Sequence, residues 1–432
     1  MRVSFALASL AALVLLLACA CLASAQAPTP PVIDVTTYGA VGDGKTDNTA
    51  AIAKAVAALV ANPTGTLYFP PGLFLLSSKP TGAAFIQLEL GAQTSASWGI
   101  AGAGTDHTVV LWNSAMAHWL TATGPGVAVS VSSLIIEELP VPSGTQWVSG
   151  SIMFSGGVAN CAINDVAFLL QDGLGITIDG GSHSILLQSV FFNGTGTGMQ
   201  IQDADDIVLE GCFFQGNGAH DPNALDAIEL WGNVTNLRVA NSVMKGLANG
   251  INANMLAAPN EASVFQSAFI DIASGSILVG TALQLTVSSS LFNNSLGAPI
   301  GGTGVALLPR TAGANIVVEG CMFNGLQFGV KSQGGHLTLQ GNGFVNSTVG
   351  FLYDPSSVAG SVDDRSPFVA EYNEFSGNTA ADVTATGGSL WVVANNVCED
   401  GKPGGITLKC LNADGTPATD CVIGNNNGCK VE

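Results

Sequence analysis

Basic residues are scarce in this chain. Its 432 residues include 12 Lys and Arg against 31 Asp and Glu, so the formal net charge is −19, and only 10% of residues are charged. A surface that binds nucleic acid or an anionic membrane needs basic side chains to offset the phosphates. We therefore expect no nucleic-acid partner and no membrane partner, and a polyanionic ligand would be repelled unless cations bind it locally.

Long apolar runs are also missing, except at the N-terminus. There Arg2 precedes an apolar stretch from Phe5 to Leu22, and Ala23-Ser24-Ala25 ends it. This order predicts a secretory signal peptide over residues 1–25, with a bacterial lipoprotein site at Cys19 as the alternative. We expect a secreted protein, extracellular or in a cell wall, with a net charge of about −20 after Arg2 is removed.

No Cys-x-x-Cys pair occurs among the nine cysteines, so we expect no metal and no cofactor. Cys161, Cys212 and Cys321 fall inside the repeat described below and are expected to be buried free thiols, the latter two at equivalent inward positions. Four cysteines lie close together near the C-terminus, which in a secreted chain predicts two disulfides with three possible connectivities. They are Cys398, Cys410, Cys421 and Cys429.

What the chain has in abundance is one short repeated phrase between Asn160 and Cys398. Branched apolar residues alternate with polar ones, then a small polar residue and an aromatic follow, as in ILLQSVFFNG (185–194) and IVVEGCMFNG (316–325). One apolar mark per phrase recurs every 21–31 residues. The marks are Phe168, Phe192, Phe214, Met244, Phe269, Phe292, Phe323, Phe344, Phe375 and Val397.

A second phrase follows most marks, in which a small residue precedes an apolar-x-apolar step, as at Gly175-Ile176 and Gly198-Met199. Alternation with period two and turns rich in Gly and Asn indicate strands. A unit this thin cannot bury its own apolar face, so its repetition indicates a solenoid. The sequence therefore predicts an all-β parallel β-helix. An antiparallel sandwich is the alternative, but sandwiches do not repeat one phrase in register.

The segment before the repeat predicts a cap. Residues 32–62 contain a short strand, glycine turns and then a helix from about Thr49 to Val60, capped by Asp47 or Asn48. Residues 39–46 also fit the spacing of a P-loop. No alternating strand–helix units follow to build the sheet that a P-loop enzyme needs, so we reject a nucleotide site.

The phrase YGAVGDGKTDNTAAI, followed by GTLYFPPG, resembles the opening of pectin-lyase-like proteins, which include polygalacturonases, β-helix glucanases and phage tailspikes. The resemblance covers the mature chain to about residue 398. It implies a single-stranded right-handed β-helix whose first coil is closed by an N-terminal helix cap. We accordingly expect a lead and cap over 26–65, a β-helix over 66–397 and a disulfide-tied C-terminal cap over 398–432, since an uncovered last coil would expose strand edges.

The polygalacturonase resemblance implies catalytic motifs on four successive coils, and this sequence departs from them. N-T-D-G is matched only at Asp172 and Gly173, and residues 196–198 read Gly-Thr-Gly where paired Asp should stand. The third coil has no His in place, and Asn252 and Asn254 replace the basic residues that would grip a uronate. The resemblance thus implies the fold without that site. No basic cluster of the kind used by lyases of this fold is found either.

Polar residues nevertheless remain on one strand face of these coils. Amides and carboxylates bond sugar hydroxyls, and Trp stacks on a pyranose face, so we predict a polysaccharide partner there. Later coils place Leu278, Ala306 and Leu352 at the matching positions, so the patch is local. The predicted binding residues are Thr177, Asp179, Gln200, Gln202, Asp203, Trp231, Asn252 and Asn254.

The candidate acid and base of a glycoside hydrolase are Asp172, Asp226 and Glu229. Asp172 and Asp226 are two coils apart, roughly 10 Å, near the upper end for an inverting pair. Asp179 and Asp203 are one coil apart, nearer the retaining separation. Two functions stay open: a hydrolase, rather than a lyase, of a wall or extracellular polysaccharide, and a non-catalytic matrix or surface protein that binds glycan. The oligomeric state also stays open.

N-glycosylation triplets favour a eukaryotic secreted glycoprotein. Three of the four follow the aromatic of the repeat by one or two residues, and we expect them in turns. The acceptors are Asn193, Asn233, Asn293 and Asn346.

Overall fold

The computed structural model describes residues 30–90, 94–140, 150–170, 173–194, 196–216, 226–256, 260–280, 283–295, 302–308, 314–354, 368–386, 391–398, 406–409 and 421–429. Of residues 254–256, 386, 391 and 406–409 it describes the backbone only.

From Val32 onward the chain winds as a right-handed parallel β-helix, so the predicted fold class is confirmed. Described strands pair in parallel with the strands one coil before and one coil after them. The strands of the first coils are β1 (Val32–Asp34), β2 (Asp43–Asp47), β3 (Thr64–Phe69), β4 (Gly72–Leu76), β5 (Ala84–Glu89), β6 (Ala96–Gly102), β7 (Thr108–Trp112), β8 (His118–Thr123), β9 (Val127–Glu138), β10 (Ile152–Ser155), β11 (Ala159–Leu170), β12 (Ile176–Ile178), β13 (His183–Gly194), β14 (Met199–Glu210), β15 (Phe213–Gln215), β16 (Asp226–Ala240), β17 (Val243–Lys245) and β18 (Asn249–Leu256). The later strands are β19 (Asn260–Phe265), β20 (Ala268–Ile270), β21 (Gly275–Val279), β22 (Leu283–Ser288), β23 (Leu291–Asn293), β24 (Thr303–Leu307), β25 (Asn315–Glu319), β26 (Met322–Asn324), β27 (Phe328–Ser332), β28 (His336–Gln340), β29 (Gly343–Val345), β30 (Val349–Tyr353), β31 (Phe368–Glu371), β32 (Glu374–Ser376), β33 (Ala381–Thr386), β34 (Trp391–Ala394), β35 (Val397–Cys398), β36 (Ile406–Lys409) and β37 (Val422–Gly424).

The pairings divide the strands among three faces of the coil, and five long strands bend from one face to the next. The first sheet contains β5, β8, β10, β12, β14, β16, β18, β21, β24, β27, β30, β33 and β36. The second sheet contains β1, β3, β6, β9, β11, β13, β14, β16, β19, β22, β25, β28, β31, β34 and β37. The third sheet contains β2, β4, β7, β9, β11, β13, β15, β17, β20, β23, β26, β29, β32 and β35.

One inward column of the third sheet contains nine of the ten predicted marks, from Phe168 to Phe375. Its rings stack nearly parallel, for example Phe292 on Phe323 with 4.6 Å between centroids. The tenth mark is wrong by one residue. Cys398 pairs with Phe375, whereas Val397 is exposed, because successive residues of a strand point to opposite faces.

The glycine of the second phrase leaves room for this column. A Cβ on Gly198 would lie 2.6 Å from the ring of Phe214, and one on Gly329 would lie 2.5 Å from the ring of Phe344. Where the next mark is methionine instead of phenylalanine, Ala227 takes the glycine position. The two phrases are therefore two halves of one packing arrangement.

The turn between the second and third sheets holds a residue with positive φ, and an inward residue follows it. From Val166 onward that inward residue is valine, then Cys212, then three serines, then Cys321 and finally asparagine. Cys212 and Cys321 both occupy this column, so their predicted equivalence is confirmed, and both are free and buried like Cys161. Burial raises the pKa of each of these three thiols to about 11. The last members form a side-chain ladder with donor–acceptor distances of 3.0 Å: Asn342, Asn373, Asn396 and Asn426.

Helix α1 (Thr49–Val60) forms the N-terminal cap, with the bounds that the sequence predicts. It buries Ile52 and Leu59. The carboxylate of Asp47 accepts the amide of Thr49 at 3.1 Å, whereas Asn48 makes no capping bond. Burial alone would raise the pKa of Asp47, but hydrogen bonds from Ser78, Thr49 and the Ser77 amide outweigh it and hold this pKa at about 2.

At the C-terminus, Cys398 forms a disulfide with Cys429, with an S–S length of 2.02 Å. Of the three connectivities that the sequence leaves open, only one contains this pair. Cys421 is also disulfide-bonded, and Cys410 lies outside the described residues. β36 and β37 pair in parallel with β33 and β34, so coil pairing continues beyond the predicted boundary at 397. It also begins before residue 66, since β1 pairs with β3.

An outward column of the third sheet is apolar over ten consecutive strands, and we call it the apolar stripe. Its side chains are half-buried until the last two, of which one is 39% and the other 44% exposed. The stripe consists of Leu73, Val109, Ile135, Ala167, Phe191, Phe213, Val243, Ala268, Leu291 and Met322.

Candidate functional site

The first sheet brings three predicted binding residues and Glu229, a predicted catalytic residue, into one outward column. Thr177 pairs with Gln200, Gln200 with Glu229, and Glu229 with Asn252, each one strand along. Flanking residues such as Ile228 and Leu230 are buried, so alternation turns this column toward solvent. Neighbouring members are therefore separated by ~4.8 Å, the spacing of paired strands.

A second outward position adds an aromatic ring to this face. Gln202 pairs with Trp231, as predicted, but the register then shifts. Trp231 pairs with Met255 and not with Asn254, so the predicted alignment of Asn254 is wrong by one residue. The side chain of Asn254 lies outside the described residues. The Trp231 ring is half-buried, and its indole N–H is buried without an acceptor among the described residues.

Asp226 supports this column from one side and is only 8% exposed. Its two carboxylate oxygens each accept an amide N–H at 2.7 Å, one from Asn249 and one from Asn252. Glu229, half-buried on the same strand, accepts a 3.3 Å hydrogen bond from Gln200. Asp226 therefore holds Asn252 in place, whereas Glu229 lies in the outward column itself.

Asp179 and Asp203 lie next to each other where the first sheet ends. The turn after Asp179 is pinned to the next coil, because the amide of Gly181 donates to the carbonyl of Asp203 at 2.7 Å. The hydroxyl of Ser182 closes the same turn on the carbonyl of Asp179 at 2.6 Å. Burial, and then the negative charge of Asp203, raise the pKa of Asp179 above its ordinary value of 3.8.

A bulge orients Asp203. The strand register shifts between Gln202 and Ala204, and Asp203 has a φ of 48°. Its carboxylate accepts a hydrogen bond from the backbone N–H of Asn233 at 2.9 Å. Gly232 has a φ of 64°, and a Cβ there would lie 2.2 Å from this carboxylate, so a side chain at this position would displace Asp203. Bulges of this kind re-aim side chains beside sites.

The coil that should carry paired aspartates in a polygalacturonase has no room for them. A Cβ on Gly196 would lie 1.7 Å from the carbonyl oxygen of Gly173, and Thr197 is 5% exposed. Asp172, the remaining match to those motifs, lies outside the described residues.

The glycosylation acceptors are placed differently from the predicted turns. Asn193 is the second-last residue of β13, and Asn293 ends β23 with its amide oxygen accepting a 2.7 Å bond from Asn324. Asn346 does lie in a bend, with a φ of 52°, and Asn233 is exposed within β16. Their modification stays a prediction.

Sequence reasoning missed Asn249 and Asn233, which fix the carboxylates of Asp226 and Asp203. A signal for Asn249 existed, because Asp226 and Asn249 both immediately precede the small-apolar-x-apolar phrase. The bulge that presents Asp203 to Asn233 left no comparable signal. Within the described part of the chain, no helix is long and apolar enough to cross a membrane.

Residues 32–252, slightly more than half of the chain, match the family model described as rhamnogalacturonase A/epimerase, pectate lyase-like. The match contains the whole outward polar column of the first sheet. No curated protein matches the chain in sequence.

Solved structures share the fold at low identity. A tailspike of Escherichia coli bacteriophage HK620, solved with a pentasaccharide, has a TM-score of 0.63 at 13% identity, covering 92% of this chain and 78% of that one. An exopolygalacturonase from Thermotoga maritima has a TM-score of 0.50 at 10% identity, covering 93% of each chain. Tailspike protein 3 of bacteriophage CBA120 has a TM-score of 0.51 at 11% identity, covering 92% of this chain and 61% of that one. These similarities support the β-helix fold and nothing finer.

Proposed function

Because the chain belongs to the rhamnogalacturonase A/epimerase, pectate lyase-like family, we propose that it is a secreted protein that binds and hydrolyses an extracellular polysaccharide on the first sheet. The observation that carries this proposal is the outward column of Thr177, Gln200, Glu229 and Asn252. Four polar side chains one strand spacing apart match an extended chain of hydroxyl-bearing rings lying along the helix axis.

Trp231 supports a sugar as the ligand. Its ring lies one outward position from the polar column and can stack on a pyranose face. Asp226 contributes indirectly, because it fixes the amide of Asn252 that would meet the glycan.

Asp179 and Asp203 support cleavage. They are one coil apart, and the ~4.8 Å step between coils is close to the carboxyl separation of retaining glycosidases. The two carboxyl groups differ in the way that an acid and a nucleophile require: burial and the neighbouring charge raise the pKa of Asp179, whereas Asp203 is exposed and accepts an amide N–H. We assign Asp179 as general acid and Asp203 as nucleophile.

The reaction then runs in two steps. Asp179 donates its proton to the glycosidic oxygen while the Asp203 carboxylate bonds the anomeric carbon, and the bond to the leaving sugar breaks. In the second step, water attacks that carbon and gives a proton to the Asp179 carboxylate, which frees Asp203. Asp172, Asp226 and Glu229 are the competing candidates from the sequence, and the experiment below includes both that lie in the described residues.

A non-catalytic glycan-binding protein is the second candidate function. The closed packing at Gly196 and Thr197 favours it, because the polygalacturonase acids have no place there. Both functions use the same sugar face, so binding alone does not separate them.

The test is turnover on a panel of neutral glycans and polyuronates, with new reducing ends and unsaturated products measured separately. Hydrolysis predicts reducing ends without unsaturated products, lost in Asp179→Asn and in Asp203→Asn. Asp206→Asn makes the same change three residues away and should keep turnover, since its carboxylate bonds Ser184 and Asn236 instead. If Asp226→Asn or Glu229→Gln abolishes turnover while the Asp179 and Asp203 variants keep it, the assignment of roles is wrong. Glycan binding without turnover favours the second function.

A further inference from the structure

The apolar stripe lies on the third sheet, away from the proposed sugar face on the first. Beside it, the same strands carry a second outward column, which begins at Leu75 and reaches Asn324. Only two members of that column are charged, Glu137 and Lys245. In a chain with a net charge of −19, this face is nearly free of charge over ten strands.

The size of the face suits a protein partner. Ten strands spaced ~4.8 Å apart give the stripe a length of about 43 Å. With both outward columns the face is about 15 Å wide, or roughly 650 Å² per partner, which passes the ~1,000 Å² total of a specific interface when two such faces meet. An apolar patch of this extent on a protein surface marks an interaction site.

We propose that this face joins two copies of the chain in an antiparallel two-fold dimer. A second copy carries the same large negative charge, so it can approach closely only along a face with few charges. An isologous contact also requires a face that is complementary to itself. The positions of the two charged residues, one acidic and one basic, meet this requirement.

Glu137 and Lys245 lie at equal distances from the strand of Asn193. The pairing order of their column is Glu137, Leu169, Asn193, Gln215 and Lys245. A two-fold axis that lies between the two faces and runs parallel to the Asn193 strand therefore places Glu137 of each copy opposite Lys245 of the other. The dimer then contains two such ion pairs. Within the described part of its own chain, neither residue forms an ion pair.

The same axis brings apolar side chains of the two stripes together and places Phe191 against Phe191 of the other copy. Phe213 of one copy meets Ala167 of the other, and Val243 meets Ile135. A parallel arrangement would instead place Glu137 against Ile135, which leaves a charge without a partner in an apolar contact. The charges thus select the antiparallel form.

Asn193 lies on the proposed axis, where two bare amides could bond each other. A glycan on Asn193 would separate the copies, and one on Asn293 would meet Leu75 at the end of the face. The dimer therefore requires that these two triplets are unmodified. This requirement is incompatible with the glycosylation that the sequence predicts for them.

The experiment is sedimentation equilibrium of the secreted protein across the micromolar range. We expect a dimer, and glycopeptide mass spectrometry should find Asn193 unmodified. Glu137→Lys and Lys245→Glu should each raise the dissociation constant of the dimer at least about tenfold, since two like-charge contacts replace two attractive ones. The double variant with both changes should dimerise like the parent, because the pairs are then exchanged.

Glu261→Lys, the same change at an exposed residue of the second sheet, is the matched control and should leave dimerisation unaltered. A monomer at every concentration, an Asn193 glycan in the dimer, or a double variant that stays as weak as the single ones would each overturn the proposal. So would a parent that stays monomeric and uses this sheet to bind lipid vesicles.

Discussion

The early and late coils of the first sheet are alike inside and unlike outside. Their inward residues are apolar from Ile176 at the start to Phe351 near the end, with Ser332 as a buried exception. Their outward residues change from amides and carboxylates up to Asn252 to mostly apolar ones after it, where Lys331 is the charged exception among Leu278, Ala306 and Leu352. The fold constrains only the inward set. The outward set of the early coils is therefore where function can be sought.

The largest expected effect comes from breaking the acidic pair of the early coils. Asp203→Asn removes the proposed nucleophile, and we expect kcat to fall by about a thousandfold or more, of the order reported for loss of a group that acts in the transition state. Initial rates of reducing-end release measure this. The glycan dissociation constant should change little, because the polar column stays intact.

Asp354, in the late half of the same sheet's coils, provides a control at a distance. Asp354→Asn should leave kcat unaltered if catalysis belongs to the early coils. An equal loss in both variants would show that the contrast between the two halves carries no chemistry.

A second contrast lies inside the turn column, where serines of the middle coils give way to asparagines near the C-terminus. Asn373→Ala removes four side-chain hydrogen bonds, two accepted from Asn342 and two donated to Leu339 and Asn396, and it leaves the buried backbone N–H of Asn342 without its acceptor. We expect a loss of about 2–3 kcal/mol in the free energy of unfolding, measured with urea. Ser267→Ala removes a smaller set of bonds and should lose about 1 kcal/mol. Equal losses would contradict the ladder's larger role.

Much of this architecture could be predicted because the repeat is regular. The repeated phenylalanines and the glycines before the strands predict which residues stack from coil to coil, because each glycine leaves room for the phenylalanine ring that follows it in the repeat. The prediction failed where spacing alone decides between neighbours, as at Val397 and Cys398, and where the register shifts, as at Asn254.

The site was predictable as a face but not as a mechanism. Alternation and the repeat spacing predict that Gln200 and Glu229 lie together, as they do. They could not show that Asp226 has both oxygens engaged by amides, or that a bulge turns Asp203 toward Asn233. Such contacts depend on turn geometry, which the repeat does not specify.

A smaller effect should follow from the aromatic ring of the early coils. Trp231→Ala removes a stacking surface, and we expect glycan binding to weaken about five- to tenfold, equivalent to about 1 kcal/mol. Leu278→Ala truncates an outward side chain on the late side of the boundary and should leave the dissociation constant unaltered. Titration calorimetry with an oligosaccharide substrate measures both, and equal weakening would mean that the sugar extends across the boundary.

The smallest effect is a shift in the titration of Asp179. Burial and the charge of Asp203 both raise its pKa, so Asp203→Asn should lower that pKa while burial keeps it above 3.8. In the parent, activity that needs protonated Asp179 should fall as the pH rises through this raised pKa. Carbon-13 NMR of the labelled carboxyl group follows the titration. An unchanged pKa in the variant would mean that the two carboxylates do not interact.

The most direct test of the central claim is a crystal structure of the Asp203→Asn protein with a bound oligosaccharide substrate. The account predicts sugar rings along the first sheet, bonded to Gln200, Glu229 and Asn252 and stacked on Trp231. Sugar bound over Leu278 to Leu352, or on another sheet, would contradict it.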